Sequence, residues 1–172
     1  MEIVLTGTGS PLPDANRAGP STLVKMDNCH VLIDAGRGVV MRMAGAGSLP
    51  IFLRAVLLTS LQSDHLCDLN DVITTHWIMS QGNATLPIYG PPGIQEFVER
   101  QMFALEADIE YRIEHHELLT HGPQVQVFEL TAGDQFELDQ LSVSTAATEH
   151  APVKPTLGYR IEHGEVAAAI VG

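Results

Sequence analysis

Asp64 and His65 are neighbours in the chain, and a carboxylate beside an imidazole is a pair of zinc-ligand types. They close the polar run Thr59-Ser60-Leu61-Gln62-Ser63-Asp64-His65. That run follows Ala55 to Leu58, apolar residues without polar alternation, as in a strand buried on both faces. Loops at the C-terminal ends of such strands commonly hold functional groups in α/β proteins. There a carboxylate can orient a water and an imidazole can hold a metal. The same residues admit a plainer role, since Ser63 or Asp64 can cap a helix start.

Other candidates carry less. His115-His116 lie between Glu114 and Glu117 in a polar segment and read as exposed loop histidines, with metal binding as the alternative. His30, His121 and His163 fall at turns or strand ends and are expected to be solvated, whereas His76 and Trp77 are expected to pack. Asp34, at a glycine turn, reads as a structural acceptor of backbone and loop hydrogen bonds near the site. Gly7-Thr8-Gly9 is not a dinucleotide fingerprint, because no helix start follows it. Cys29 and Cys67 are too few for a disulfide framework and read as reduced, largely buried thiols of a cytoplasmic protein.

The elements that must position these groups belong to one domain, since 172 residues suffice for a sizeable core. Aromatics are only 5%, so that core rests on Val, Ile, Leu and Ala. The net charge of −12 repels phosphate backbones at long range, and the nine Lys and Arg make no obvious patch in the sequence. A small substrate, or a cation that recruits an anionic one, fits that balance better. No apolar run approaches the roughly 18 residues that span a bilayer, and no membrane association is expected.

Strands are expected at Glu2 to Thr6, Ser21 to Met26 and His30 to Asp34, with Asp27-Asn28 turning the last two into a hairpin. A short helix at Val39 to Ala44 and a longer one at Leu69 to Met79 follow, with Leu69, Val72, Ile73 and Trp77 at helical spacing. Leu86 to Tyr89 is a strand, and Pro91-Pro92 opens a helix bearing Ile94, Phe97, Val98 and Met102 on one face. Glu106 to Gly122 shows no firm period. Strands then accumulate at Gln124 to Leu130, Gln135 to Leu138, Leu141 to Ala147, Thr156 to Glu162 and Glu165 to Val171, with His163-Gly164 as a two-residue turn. Helices alternating with strands, then strands alone, favour two sheets over a doubly wound one. The last strand stops at Gly172 without a polar tail, which reads as a chain incomplete at its C-terminus or as an edge covered by something else.

Five motifs in order resemble the ribonuclease Z-like branch of the metallo-β-lactamase superfamily, over nearly the whole length. They are Gly7-Thr8-Gly9-Ser10-Pro11 with Arg17 and Pro20-Ser21; Leu32-Ile33-Asp34-Ala35-Gly36; Leu57-Leu58-Thr59 leading into a position where the family has T-H-x-H-x-D-H; Tyr89-Gly90-Pro91; and Thr148-Glu149-His150 with Pro155-Thr156-Leu157-Gly158-Tyr159-Arg160. The resemblance implies an αββα sandwich of two mixed sheets flanked by helices over residues 1–172, lacking its C-terminal part.

It also implies a zinc-dependent phosphodiesterase. Asp64 and His65 would be ligands of the second zinc and His150 of the first, with Asp64 orienting the hydroxide. The motif's first two histidines fall on Ser60 and Gln62. A neutral hydroxyl and an amide oxygen are poor zinc donors, so at most one weakly held metal is expected, with hydrolysis impaired. A bridging aspartate would follow Gly172, and a last histidine later still. The implied partners are a small phosphodiester or an RNA, with tRNA 3′-end cleavage the family's reaction, and a second copy in a homodimer. The short acidic segment Glu106 to Gly122 does not suit a tRNA-gripping arm. Two alternatives stand: an inactive binding module, for which Ser60 and Gln62 speak, and a same-fold hydrolase of sulfate, lactone or cyclic-nucleotide esters, for which the acidic charge speaks.

Overall fold

The computed structural model describes residues 1–172. Its first sheet runs in the order β1 (Glu2–Gly7), β2 (Ser21–Met26), β3 (Cys29–Ile33), β4 (Leu53–Leu57), β5 (Thr85–Gly90), β6 (Gln124–Glu129). β1, β2 and β3 are antiparallel neighbours, and Asp27-Asn28 closes the tight β2–β3 hairpin between the paired Met26 and Cys29. From β3 to β6 the pairing is parallel, so each step needs a crossover. Those crossovers carry α1 (Val39–Gly45), then α2 (Ser63–Leu66) and α3 (Leu69–Met79), then α4 (Ile94–Ala104) and α5 (Glu106–His115). The second sheet is antiparallel and runs β10 (Val166–Val171), β9 (Leu157–His163), β8 (Leu141–Ala147), β7 (Gln135–Leu138).

The central strands are largely apolar because both faces of the first sheet are covered. Leu23, Leu32 and Val56 face the helices and pack with Met43, Leu69, Val72, Ile73, Ile94 and Val98. Their neighbours Val24, Val31, Ile33, Ala55 and Leu57 face the second sheet and meet Leu141, Val143, Tyr159 and Ile161. Each such buried aliphatic side chain contributes about 1.5–3 kcal/mol. Two straps hold the sheets together. At one end the Arg54 guanidinium donates to both oxygens of Asp139, at 2.7 and 3.1 Å. At the other, the Tyr159 hydroxyl donates to the Leu58 carbonyl at 2.7 Å, and the Leu157 N–H donates to the Thr59 carbonyl at 2.8 Å. The second strap sets the C-terminal end of β4 beside β9.

The structure corrects four expectations. Residues 106–115 are helical although no side chain of α5 is buried. Local terms account for it: Arg112 bonds Asp108 one turn back at 2.7 Å, and acids open the helix while Arg112 and His115 close it. His30 is buried, because the hydroxyl of Ser48 meets its Nδ1 at 2.7 Å. Cys67 is exposed, on the outward side between α2 and α3. The last hairpin turns at Gly164-Glu165, one residue later than expected, since His163 pairs with Val166 and Gly164 supplies a φ of +57°. His76 is buried and packs as expected.

Candidate functional site

Asp34 leaves the end of β3 with φ +60° and is only 4% exposed. Its N–H donates to the Leu57 carbonyl at 2.8 Å, which fixes it against the end of β4. Its carboxylate is then filled from one side. Oδ1 accepts the Thr59 N–H at 2.8 Å, and Oδ2 accepts the Thr59 hydroxyl at 2.8 Å and the His65 Nδ1–H at 2.8 Å. A carboxylate acceptor places the imidazole proton on Nδ1 and leaves the Nε2 lone pair facing outward. Nε2 lies 4.0 Å from Oδ2 of Asp64. Both side chains are nearly buried, at 10% and 12% exposure. Burial by itself pulls the His65 pKa down, but the hydrogen bond and charge of Asp34, followed by the charge of Asp64, outweigh it, and the pKa is raised.

Both residues sit on α2, a single helical turn begun by Gln62 with no side-chain cap. The capping role open to Ser63 and Asp64 is therefore not taken up. The Ala35 N–H donates to the His65 carbonyl at 2.7 Å and the Asp68 N–H to the Ala35 carbonyl at 3.0 Å, so the turn is pinned to the Asp34 loop. Gly36 lies at that junction. A Cβ there would stand 2.5 Å from the Gly19 carbonyl carbon and 2.7 Å from the Asp64 carbonyl oxygen, so three segments meet where only glycine fits.

Ser60 is 2% exposed, and its hydroxyl accepts the Gln62 N–H at 3.3 Å. Gln62 is half-buried. His150 belongs to the other sheet. It lies exposed in the loop between β8 and β9, turned tightly by the Val153 N–H donating to the His150 carbonyl at 2.8 Å. That loop is clasped at its base, where the Thr148 hydroxyl meets the Thr156 hydroxyl at 2.7 Å and the latter meets the Thr148 carbonyl at 2.9 Å. A cavity of about 480 Å³ opens beside it, lined in part by Thr131, Thr148, Lys154 and Thr156.

The structure thus joins Asp34, Asp64 and His65 and leaves His150 apart. No three of the His, Cys, Asp and Glu side chains form a group that could hold a metal ion. The donor set fits one metal seat in part, with His65 Nε2 and an Asp64 oxygen presented together. It does not fit the other seat, where Ser60 and Gln62 stand. His115 and His116 pack edge to face at the end of α5, and both are exposed. Sequence reasoning did not single out Thr59 and Tyr159. A β-branched hydroxyl between a buried strand and a polar loop was the one available sign for Thr59, whereas the partner of Tyr159 is 101 residues away.

A family described as a Beta-lactamase superfamily domain matches residues 30–171. Ribonuclease Z of Mycobacterium sp. (strain KMS) is 47% identical over 173 residues, covering 100% of this chain and 61% of its own length. Ribonuclease Z of Mycobacterium marinum is 44% identical over 174 residues, with 100% and 62% covered. The chain thus spans about 61% of the length of the curated relatives it matches. Among solved structures, human tRNase Z, short form, aligns with TM-score 0.78 at 21% identity, over 100% of this chain and 69% of that one. The metallo-beta-lactamase fold protein YhfI from Bacillus subtilis aligns with TM-score 0.73 at 20% identity, over 97% and 59%. At those identities the solved structures bear on the fold, which is that of the metallo-β-lactamases.

Proposed function

Because this chain belongs to the β-lactamase superfamily, with the metallo-β-lactamase fold and ribonuclease Z among its similar proteins, we propose that it is a ribonuclease Z-like hydrolase framework for RNA phosphodiesters, working in the cytoplasm with zinc and impaired at its first metal seat. The observation that carries this reading is the 2.8 Å bond from His65 Nδ1–H to Asp34, which turns Nε2 toward Asp64. Histidine ligands backed by a carboxylate are the usual arrangement of a catalytic zinc.

In this reading Asp64 and His65 would hold the metal of the second seat, and His150 is the one ligand left to the first. A bound zinc supplies positive charge for the phosphoryl oxygen and acidifies a water. The chain's own part is positional. Asp34 and Thr59 fix the imidazole, and Asp64 accepts a proton from the attacking water and orients it. The Ser60 hydroxyl accepts the Gln62 backbone N–H, and a neutral hydroxyl and an amide oxygen are weak zinc donors, so neither residue suits the first seat. The same observation favours a second reading, a binding module without turnover. Homodimerisation follows from the resemblance alone and is read by light scattering.

The test is zinc content with cleavage of bis(p-nitrophenyl) phosphate, for the parent chain and for Ser60→His/Gln62→His. Weak zinc and slow cleavage are expected from the parent, with tighter zinc and faster cleavage, roughly tenfold or more, from the double variant. A double variant that neither gains zinc nor cleaves would overturn the hydrolase reading. A parent with tight zinc and fast turnover would overturn the impairment.

A further inference from the structure

Seven of the nine lysines and arginines have a carboxylate within 4.0 Å; Arg37 and Arg42 have none. In a chain of 21 acidic residues the two unpaired cations are both exposed, and both lie at one corner. Arg37 lies two residues before the start of α1, and Arg42 lies within that helix. The loop from Asn16 to Gly19 runs between them. Its Gly19 N–H donates to the Arg37 carbonyl at 2.8 Å, and its Asn16 carbonyl accepts the Arg42 guanidinium at 3.4 Å.

A cavity of about 380 Å³ opens at this corner, lined by Arg42 together with Arg17, Asn16, Thr6 and Thr8, and no carboxylate lines it. Arg17 is already turned to Asp14 at 3.9 Å, and Lys25, which donates to the Ala46 carbonyl at the same cavity, is held by Glu2 at 3.2 Å. Arg37 does not line this cavity. Arg37 adjoins Gly36, whose backbone is packed on the Asp64 carbonyl.

We propose that Arg37 and Arg42 form a docking corner for the phosphodiester backbone of a single RNA strand, leading along the Asn16–Gly19 loop to Asp64 and His65. The corner accounts for how an acidic chain holds a polyanion: the mean charge repels it, while two unneutralised guanidiniums, with hydroxyls and an amide beside Arg42, receive it locally. This inference rests on the RNA reading above and names the site that would grip the substrate outside the reacting centre.

The test is fluorescence anisotropy with a fluorescein-labelled oligouridylate of about twelve nucleotides, at salt from about 50 to 200 mM. The full chain is compared with Arg37→Ala/Arg42→Ala and with Arg100→Ala, an exposed arginine of α4 far in sequence from the corner. The double variant is expected to bind roughly tenfold more weakly at low salt, and its slope of log affinity against log salt to flatten by about 1.4, or 0.7 per lost contact. Arg100→Ala is expected to bind as the parent does, and all three chains to melt together. Unchanged affinity and slope in the double variant would overturn the corner, as would an equal loss in Arg100→Ala. Competition by polyglutamate as effective as by unlabelled RNA would overturn the assignment to phosphodiesters. Arginine-dependent binding by a chain whose Ser60→His/Gln62→His variant neither gains zinc nor cleaves would sink the hydrolase reading and leave the corner standing.

Discussion

The two halves of the candidate site are built differently. On the first sheet, Asp34, Thr59 and His65 form a buried cluster in which every carboxylate contact is a short hydrogen bond from a neighbouring segment. On the second sheet, His150 stands exposed on a loop held at its base by Thr148 and Thr156. The first half is therefore formed by folding itself, because breaking it strands buried polar groups. The second half is free of that constraint, and only a ligand reaching across could impose one on it. A site of this kind has one ordered wall and one adaptable wall.

The comparison is tested most severely at Asp34. Asp34→Ala removes the acceptor shared by Thr59 and His65 and is expected to cost about 3–5 kcal/mol in urea unfolding. A loss below about 1 kcal/mol would mean that the first half is not preformed by this cluster. Tyr159→Phe removes the strap to the Leu58 carbonyl and is expected to cost about 1–1.5 kcal/mol. Thr148→Val, which loosens the loop base, should cost about 0.5–1 kcal/mol and speed proteolysis between Glu149 and Lys154.

Acidity gives a further contrast. The folded His65 pKa is raised, so its contribution to stability is complete below about 6.5, its unfolded value, and is lost as pH rises through the folded value. His76 is shifted down by burial, and His30 is shifted down by burial and then by Lys25. Their contributions are complete above that unfolded value and are lost as pH falls through the folded ones. His65→Gln should therefore leave a chain whose urea midpoint falls more steeply on acidification than the parent's. Identical profiles for the two chains would show that Asp34 does not hold the imidazolium. Smallest of all, His150→Ala should change stability by less than about 0.5 kcal/mol; a larger loss would place the second half in the folded core after all.

Much of this was legible because it is local or periodic. Asp27-Asn28 announced its hairpin, Leu69 to Met79 its helix, and the apolar run Ala55 to Leu58 its burial on both faces. Asp64 and His65 could be placed at the mouth of that strand. What was illegible depends on partners distant in sequence. His30 is buried because of Ser48, and Asp34 becomes the hub of the site only when Thr59 and His65 are folded onto it. The corner of Arg37 and Arg42 has a similar origin, since their isolation shows only once the other cations have found carboxylates. α5 escaped notice for the opposite reason. With no buried face, it leaves no hydrophobic period to read.

Gly36 has a further consequence. The contacts around it leave no slack, so the N-terminal loop, the residues before α1 and the turn bearing Asp64 are packed together at this one joint. A methyl group added there could not be absorbed by any one of them. It would push the arginine corner and the carboxylate apart in a single displacement, and a defect in substrate grip and a defect in water orientation would appear together from a residue that touches neither.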